Sequence, residues 1–92
     1  MGINGLFKAL SDENRRKMLD LLKNGDLTAG DIAEHFDMSK AGVSQHLSVL
    51  KNADLVFAIK RGQYVYYSLN ATVFQEVLQW IIQFQSKGEK ET

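Results

Sequence analysis

The chain contains no cysteine in its 92 residues, and this absence excludes disulfide bonds, thiol catalysis and thiolate metal sites together. Histidine is nearly as scarce, because only His35 and His46 are present and they lie in different predicted helices. We therefore expect neither a metal site nor a cofactor. Nucleophile–base pairs, glycine-rich phosphate loops and paired catalytic carboxylates are also missing, which argues against an enzyme.

Long apolar runs and an excess of charge of one sign are missing too. No run approaches the roughly 18 residues needed to span a bilayer, and no basic segment followed by a long apolar stretch opens the chain, so we expect a cytoplasmic protein. Eleven basic and eleven acidic residues give a formal net charge of zero. This balance counts against nucleic-acid binding unless the bases share one face. Because Asp26, Asp31, Glu34 and Asp37 cluster near one predicted helix, we expect such a segregation.

The segment of residues 28–53 predicts two short helices joined by a tight turn. Thr28 is placed to cap the first helix, with Asp31 three residues further on, and Ser39 is placed to cap the second. Apolar residues at helical spacing predict the buried stripes. These stripes are Ile32, Ala33 and Phe36 in the first helix, and Val43, Leu47 and Leu50 in the second.

The outer face of the second predicted helix carries small and amide side chains. Its residues are Lys40 at the N-terminal end, Ala41, Ser44, Gln45 and Ser48. Serine and glutamine can hydrogen-bond base edges, and small residues allow a close approach, so the pattern is typical of a DNA-recognition helix. Gln45 is the best candidate for reading a base, since an amide can bond adenine at two atoms. The alternative is an ordinary helical pair that binds nothing.

Amphipathic helices are predicted before this segment. The first covers residues 3–10, with a stripe at Ile3, Leu6, Phe7 and Leu10. The next begins at Ser11 or Asp12 and runs to about Lys23, where Asn24-Gly25 is a helix stop. Its first turns hold a basic patch of Arg15, Arg16 and Lys17.

After this segment the apolar period changes from helical to alternating. Residues 55–60 and 64–69 alternate on either side of Arg61-Gly62, which predicts a β-hairpin. A hairpin directly after a helix-turn-helix makes a winged helix, and its tip would carry Lys60 and Arg61 toward phosphate or the minor groove. The alternative is a solvated turn with ordinary surface charge. The fold class is thus mainly α with a small β-hairpin, in the order α-α-α-α-β-β-α.

The last predicted helix opens at Asn70 or Thr72 and runs to about Ser86. Apolar residues wrap more than half of its circumference, so part of its surface is expected to meet a partner. These residues are Val73, Phe74, Val77, Leu78, Trp80, Ile81, Ile82 and Phe84.

The order of these motifs resembles the ArsR/SmtB family of winged-helix repressors. The resemblance rests on Ser44-Gln45-His46-Leu47, on residues 50–56, on Gly62 and on Tyr66-Tyr67-Ser68-Leu69. It implies a homodimer joined through its terminal helices, with two recognition helices in successive major grooves of an inverted-repeat operator in double-stranded DNA. We therefore assign residues 1–86 to one winged-helix domain for DNA binding and dimerisation, and residues 87–92 to a polar flexible tail.

Two sets of site residues follow from the pattern and the resemblance. DNA contacts are predicted at Arg15, Arg16, Ser39, Lys40, Ala41, Ser44, Gln45, His46, Ser48, Lys60 and Arg61. The dimer interface is predicted at Ile3, Leu6, Phe7, Val73, Val77, Trp80, Ile81 and Phe84. Alternatives remain open for three of them. Arg15 and Arg16 would pair with Asp12 and Asp20 instead of phosphate, and His46 would have a structural role.

Metal-sensing members of the family carry ligands that this sequence lacks. The positions of those ligands correspond here to Thr28, Gly30, Asn70, Thr72, Gln83 and Ser86. None of these residues is a good ligand for zinc or a soft metal. The resemblance therefore implies a repressor that does not respond to metal and that acts on its own promoter.

Two other functions fit the same residues. One is a protein-interaction module whose winged-helix or terminal-helix surface binds a partner such as a membrane immunity protein, which would sequester it, as the resemblance to autorepressors of immunity operons implies. The other is a repressor with a small-molecule pocket at the dimer seam, which predicts an enclosed cavity.

Overall fold

The winged-helix order predicted from the sequence is confirmed in the computed structural model, which describes the backbone of residues 3–91 and the side chains of residues 4–85. The side chain of Ile3 and those of the predicted tail lie outside the described residues. Helices and strands in the described range follow the order α1 (Ile3–Leu10), α2 (Glu13–Leu22), β1 (Leu27–Thr28), α3 (Ala29–Ala33), α4 (Lys40–Asn52), β2 (Val56–Arg61), β3 (Tyr64–Leu69) and α5 (Ala71–Glu91).

Side-chain caps begin three of these helices where the sequence predicts them. Thr28 Oγ1 accepts a hydrogen bond from the Asp31 backbone N–H at 3.1 Å, and Asp31 Oδ2 accepts one from the Thr28 N–H at 3.3 Å. This reciprocal capping box fixes the start of α3. Asp12 caps α2 and Ser39 caps α4 through one backbone N–H each.

The hydrophobic core lies between the helices and the inner face of the wing. Its largest fully buried side chains are Met18, Ile32, Val43, Leu47, Leu50, Leu55 and Val56. The predicted stripe of α4 is therefore confirmed. Burying one such side chain is worth about 1.5–3 kcal/mol, so the stripe anchors α4 firmly against the domain.

The hairpin that forms the wing has a two-residue turn. Val56 pairs with Leu69 at its base, and Arg61 pairs with Tyr64 at its tip. Gly62 takes a φ of +63° in the first turn position, which glycine adopts at no steric cost. The predicted hairpin is confirmed with this register.

Strand β1 is absent from the sequence prediction. It pairs antiparallel with β3, Leu27 opposite Tyr67 and Thr28 opposite Tyr66, and gives a sheet of order β1–β3–β2. Two residues are too few to produce a visible alternation of apolar and polar side chains. The strand places the loop before α3 beside the wing.

Helix α4 ends in a left-handed residue. The Asp54 N–H donates to the Lys51 carbonyl at 2.9 Å, and the Leu55 N–H donates to the Leu50 carbonyl at 3.0 Å. This pair of bonds is a Schellman motif, whose left-handed position usually holds glycine. Here Asp54 occupies it with a φ of +60°.

Helix α5 packs on the domain through its first half. Val73 is buried, Phe74 and Val77 are half-buried against the core, and the Trp80 ring lies 5.8 Å from that of Phe7. The rest of the helix projects outward and runs past the predicted end at about Ser86. The Cα radius of gyration is consequently 15.3 Å, compared with about 12 Å for a compact chain of this length. No helix among the described residues combines the length and apolar character needed to cross a bilayer.

Candidate nucleic-acid interface

The outer face of α4 presents a polar ridge, which we define as Ala41, Ser44, Gln45 and Ser48. All of these residues are exposed, while the opposite side of the helix is buried in the core. Lys40 is also exposed and lies at the first position of the helix, next to the cap Ser39. The ridge therefore has the predicted side chains facing outward on a firmly held helix, an arrangement that suits insertion into a groove.

The predicted wing cations lie at the end of β2, and both are exposed. Arg61 Nη2 is 3.0 Å from Asp26 Oδ2, and its guanidinium carbon is 5.3 Å from the centre of the Tyr66 ring. The predicted separation of acids from bases is therefore wrong at this point. Strand β1 pairs with β3, and so brings the preceding residue, Asp26, within reach of Arg61.

The guanidinium groups of Arg15 and Arg16 bind the last turn of α1. Arg15 Nε donates to the Ala9 carbonyl at 2.7 Å and its Nη2 to the Lys8 carbonyl at 3.1 Å. Arg16 Nη1 donates to the Leu10 carbonyl at 2.8 Å. Cations in these positions interact favourably with the carbonyl groups at the C-terminal end of a helix.

The alternative partners weighed for these two arginines do not bind their guanidinium groups. Asp20 lies 3.5 Å from Lys23 instead. Asp12 accepts from the backbone N–H of Arg15, at 3.1 Å, as the cap of α2. The phosphate contacts of Arg15 and Arg16 stay predictions.

His46 is half-buried on the flank of α4 and meets the start of α2. Its Nδ1 lies 3.2 Å from Arg15 Nη1 and 4.0 Å from Asp12 Oδ2. The hydrogen bond from the backbone N–H of Arg15 lowers the pKa of the Asp12 carboxyl. Sequence reasoning missed this cluster, because 31 positions separate Arg15 from His46.

The predicted interface residues divide into buried and exposed groups. Leu6 and Val73 are buried in the core of the chain itself, and Val77 is half-buried against it. The exposed members are Phe7 at 39%, Trp80 at 42%, Ile81 at 50% and Phe84 at 62%. Two further exposed apolar residues that the predicted set omits are Leu78 at 55% and Ile82 at 43%. We call the five exposed apolar residues of α5 its apolar face: Leu78, Trp80, Ile81, Ile82 and Phe84.

A small molecule would need a cleft on the described part of the chain, and a metal ion would need a cluster of side chains that could hold it. An apolar cleft of about 350 Å³ between α2 and α5 is lined mainly by Leu19, Leu69, Ala71 and Phe74. Within the described residues, no three His, Cys, Asp or Glu side chains come together to hold a metal ion. Thr28, at one family metal position, uses its Oγ1 in the capping box of α3.

A sequence profile for bacterial regulatory proteins of the arsR family matches residues 12–57, from the cap of α2 into β2. The chain belongs to the ArsR family. The fold supports this family membership. The crystal structure of an ArsR family transcriptional regulator superposes on the chain with a TM-score of 0.86 and is 29% identical in sequence, and the superposition covers 95% of this chain and 96% of that one. This ArsR-family chain is thus a transcriptional regulator with a winged-helix fold.

Two characterised relatives are similar over most of their length. This ArsR-family chain is 53% identical over 89 residues to the transcriptional repressor SdpR of Bacillus subtilis (strain 168), which covers 97% of this chain and 99% of that one. It is 36% identical over 77 residues to the arsenical resistance operon repressor of Staphylococcus aureus, over 84% of this chain and 74% of that one.

Proposed function

We propose that this chain is a transcriptional repressor that binds an inverted-repeat operator as a homodimer, in its own promoter and without responding to metal. The single observation that carries the proposal is the exposed polar ridge of α4, supported from behind by buried aliphatic side chains. The names of the two relatives, both repressors, support the regulatory sense of the proposal.

The ridge has dimensions that match a DNA groove. An α-helix with its side chains is about 10–12 Å across, which fits a major groove about 12 Å wide, and the ridge from Ala41 to Ser48 is about 10 Å long. Gln45 and the two serines then face base edges, and Lys40 at the helix start faces phosphate. Ser39 stays at the helix N-terminus, where backbone N–H groups also favour a phosphate.

Dimerisation is supported by the apolar face of α5. An exposed apolar surface on one long helix is unfavourable in water unless a partner covers it. In a symmetric dimer the same face meets its own copy. To enter successive major grooves, the two ridges of this dimer must lie about 34 Å apart, one turn of B-DNA. Occupation of the promoter by this dimer would repress transcription.

The absence of metal regulation is inferred from chemistry at the family positions. Thr28 and Gly30 offer no thiolate, and Asn70, Thr72 and Gln83 offer no imidazole or carboxylate. Amide and hydroxyl groups are weak ligands for zinc and softer metals. The signal that releases this repressor from DNA is therefore expected not to be a metal ion bound at these positions.

A salt-titrated binding assay tests the proposal. Purified protein is titrated into the duplex upstream of its own coding sequence and into a random duplex of equal length, and the mass of the free protein is measured by light scattering. We expect a dimer, tighter binding to the upstream duplex, and two protected half-sites in a footprint. Equal affinity for both duplexes, or a monomer at micromolar concentration, would overturn it.

A protein partner is the second candidate, and the wing favours it. Phe57 is 51% exposed and Ile59 is 36% exposed on β2, which is an edge strand of the sheet. Exposed apolar residues on an edge strand are a typical docking surface. A partner such as a membrane immunity protein would bind there or on α5. The binding assay separates the two functions, because only the repressor binds DNA.

A further inference from the structure

One side chain connects three helices behind the polar ridge. Arg15, half-buried at the start of α2, donates to the Lys8 and Ala9 carbonyls of α1 and also reaches His46 of α4, with 3.2 Å between Nη1 and Nδ1. A direct contact of Arg15 with DNA does not explain why its side chain makes these three contacts. The contact with Nδ1 determines the tautomer of His46.

The hydrogen bond from Arg15 fixes which nitrogen of His46 carries a proton. A guanidinium has only N–H donors, so Nδ1 must accept and the neutral ring holds its proton on Nε2. The distances agree with this assignment. Asp12, whose carboxylate only accepts, stays 4.0 Å from Nδ1, too far for a hydrogen bond.

Nε2 of His46 is then a donor that faces away from Arg15. No described side chain binds it, and the described residues include no buried side-chain nitrogen or oxygen without a partner. Nε2 is therefore open to solvent. His46 follows Gln45 on α4, so it lies at the edge of the ridge, where a helix seated in a major groove faces the phosphate walls rather than the bases.

We propose that His46 donates from Nε2 to a backbone phosphate of the operator and that Arg15 is the positioning residue that holds it in the donating tautomer. This inference rests on the proposed DNA-binding function. It gives Arg15 an indirect role in place of the direct phosphate contact predicted from the sequence, and it assigns His46 a contact that does not read sequence.

Nuclear magnetic resonance of the free protein tests the role of Arg15 without DNA. The imidazole ¹⁵N shifts distinguish a protonated from an unprotonated ring nitrogen, measured at about pH 8, where an ordinary histidine is neutral. We expect the Nε2–H form in the wild type and a mixture of both tautomers in Arg15→Met. Arg16→Met is the matched control, because Arg16 also binds a carbonyl of α1 but does not touch His46.

Two substitutions of His46 test the phosphate contact. Glutamine places an amide N–H near the position of Nε2, whereas asparagine places its amide near Nδ1. We expect His46→Gln to stay within threefold of the wild type and His46→Asn to lose about a hundredfold, because the dimer loses one hydrogen bond, worth about tenfold, in each half-site. The loss should be equal on the upstream and random duplexes. His35→Asn, at the other, exposed histidine, should change neither affinity.

The outcomes separate this inference from the proposed function. An Nδ1–H ring in the wild type, or a tautomer that Arg15→Met leaves unchanged, would overturn the positioning role even if DNA binding is strong. Equal affinities for the Gln and Asn variants would overturn the phosphate contact. If the wild type binds no DNA, the proposed function and the phosphate contact fail together, while the tautomer result still decides the role of Arg15.

Discussion

Arg61 Nη2 donates a hydrogen bond to Asp26 Oδ2 at 3.0 Å and so links the wing to the loop before β1. The side chains of Arg61 and Asp26 are 54% and 28% exposed. A pair this open to solvent is worth at most about 1 kcal/mol, because water screens it. A DNA phosphate can therefore replace Asp26 as the partner of Arg61 at little cost.

The wing contact gives the first prediction. Arg61→Ala is expected to weaken binding to operator and random duplexes alike and to reduce the salt slope by about one for each wing, about two for the dimer. Asp26→Asn should instead tighten both by about two- to fivefold, since it removes a competing charge. Anisotropy titrations at several salt concentrations measure both effects, with Lys23→Ala, just after α2, as a remote control. An unchanged slope in Arg61→Ala would remove Arg61 from the contact.

Gln45 gives a prediction of the opposite kind. Gln45→Ala is expected to cost about 1–3 kcal/mol in each half-site of the operator and to relax specificity at one base pair of each, because the role proposed for the amide is to read a base edge. Binding to random DNA should change little. A panel of operators with single base changes measures this, and Gln75→Ala on α5 is the control. Equal losses on operator and random duplexes would assign Gln45 to the backbone instead.

The helix caps and the buried stripe of α4 could be predicted because they depend on residues close in sequence. Thr28 and Asp31 are three positions apart, and Val43, Leu47 and Leu50 repeat with the helical period. The exposed ridge opposite this stripe follows from the same period. Local rules therefore account for the helix-turn-helix and for the exposed side chains of its second helix.

The contacts that position the site could not be predicted in this way. Arg61 and Asp26 are 35 positions apart, and their pairing depends on β1, which is too short to recognise. Periodicity also treats all apolar residues of the terminal helices alike. Leu6 is 4% exposed and Ile81 is 50% exposed. Which apolar residues of the terminal helices are buried depends on the point at which α5 leaves the domain, and the sequence pattern does not show that point.

The left-handed residue at the end of α4 predicts a gain in stability. Asp54 has a φ of +60°, a conformation that costs a residue with a Cβ about 1 kcal/mol and costs glycine almost nothing. Asp54→Gly should therefore raise the free energy of unfolding by about 0.5–1 kcal/mol, and Asp54→Ala should not raise it. Urea unfolding at one fixed protein concentration measures both. A gain in the alanine variant would show that the φ value is not the cause.

Acid should weaken the cap of α2 in a defined direction. The backbone N–H of Arg15 holds the pKa of Asp12 below its ordinary 3.8. The unfolded chain therefore binds this proton more readily, so the stability from the carboxylate is present above about pH 4 and is lost as the pH falls through the lower pKa of the folded state. Asp12→Asn caps the helix without titrating. The difference in unfolding midpoint between wild type and Asp12→Asn should shrink from pH 5 to pH 3. The same difference measured for Glu34→Gln is the control. A difference that widens toward low pH would contradict the cited shift.

A substitution on the apolar face of α5 tests the proposed dimer. Ile81 is 50% exposed within one chain, so Ile81→Glu should cost the folded monomer little. In a dimer the same substitution buries a carboxylate against apolar side chains, which costs several kcal/mol. We therefore expect light scattering to give a monomer for Ile81→Glu and the upstream duplex to lose most of its affinity, because one ridge alone spans only one half-site. Gln79→Glu adds the same charge on the exposed polar strip of the same helix and should remain a dimer with normal binding. If Ile81→Glu also remains a dimer, the two chains must meet through a surface other than α5.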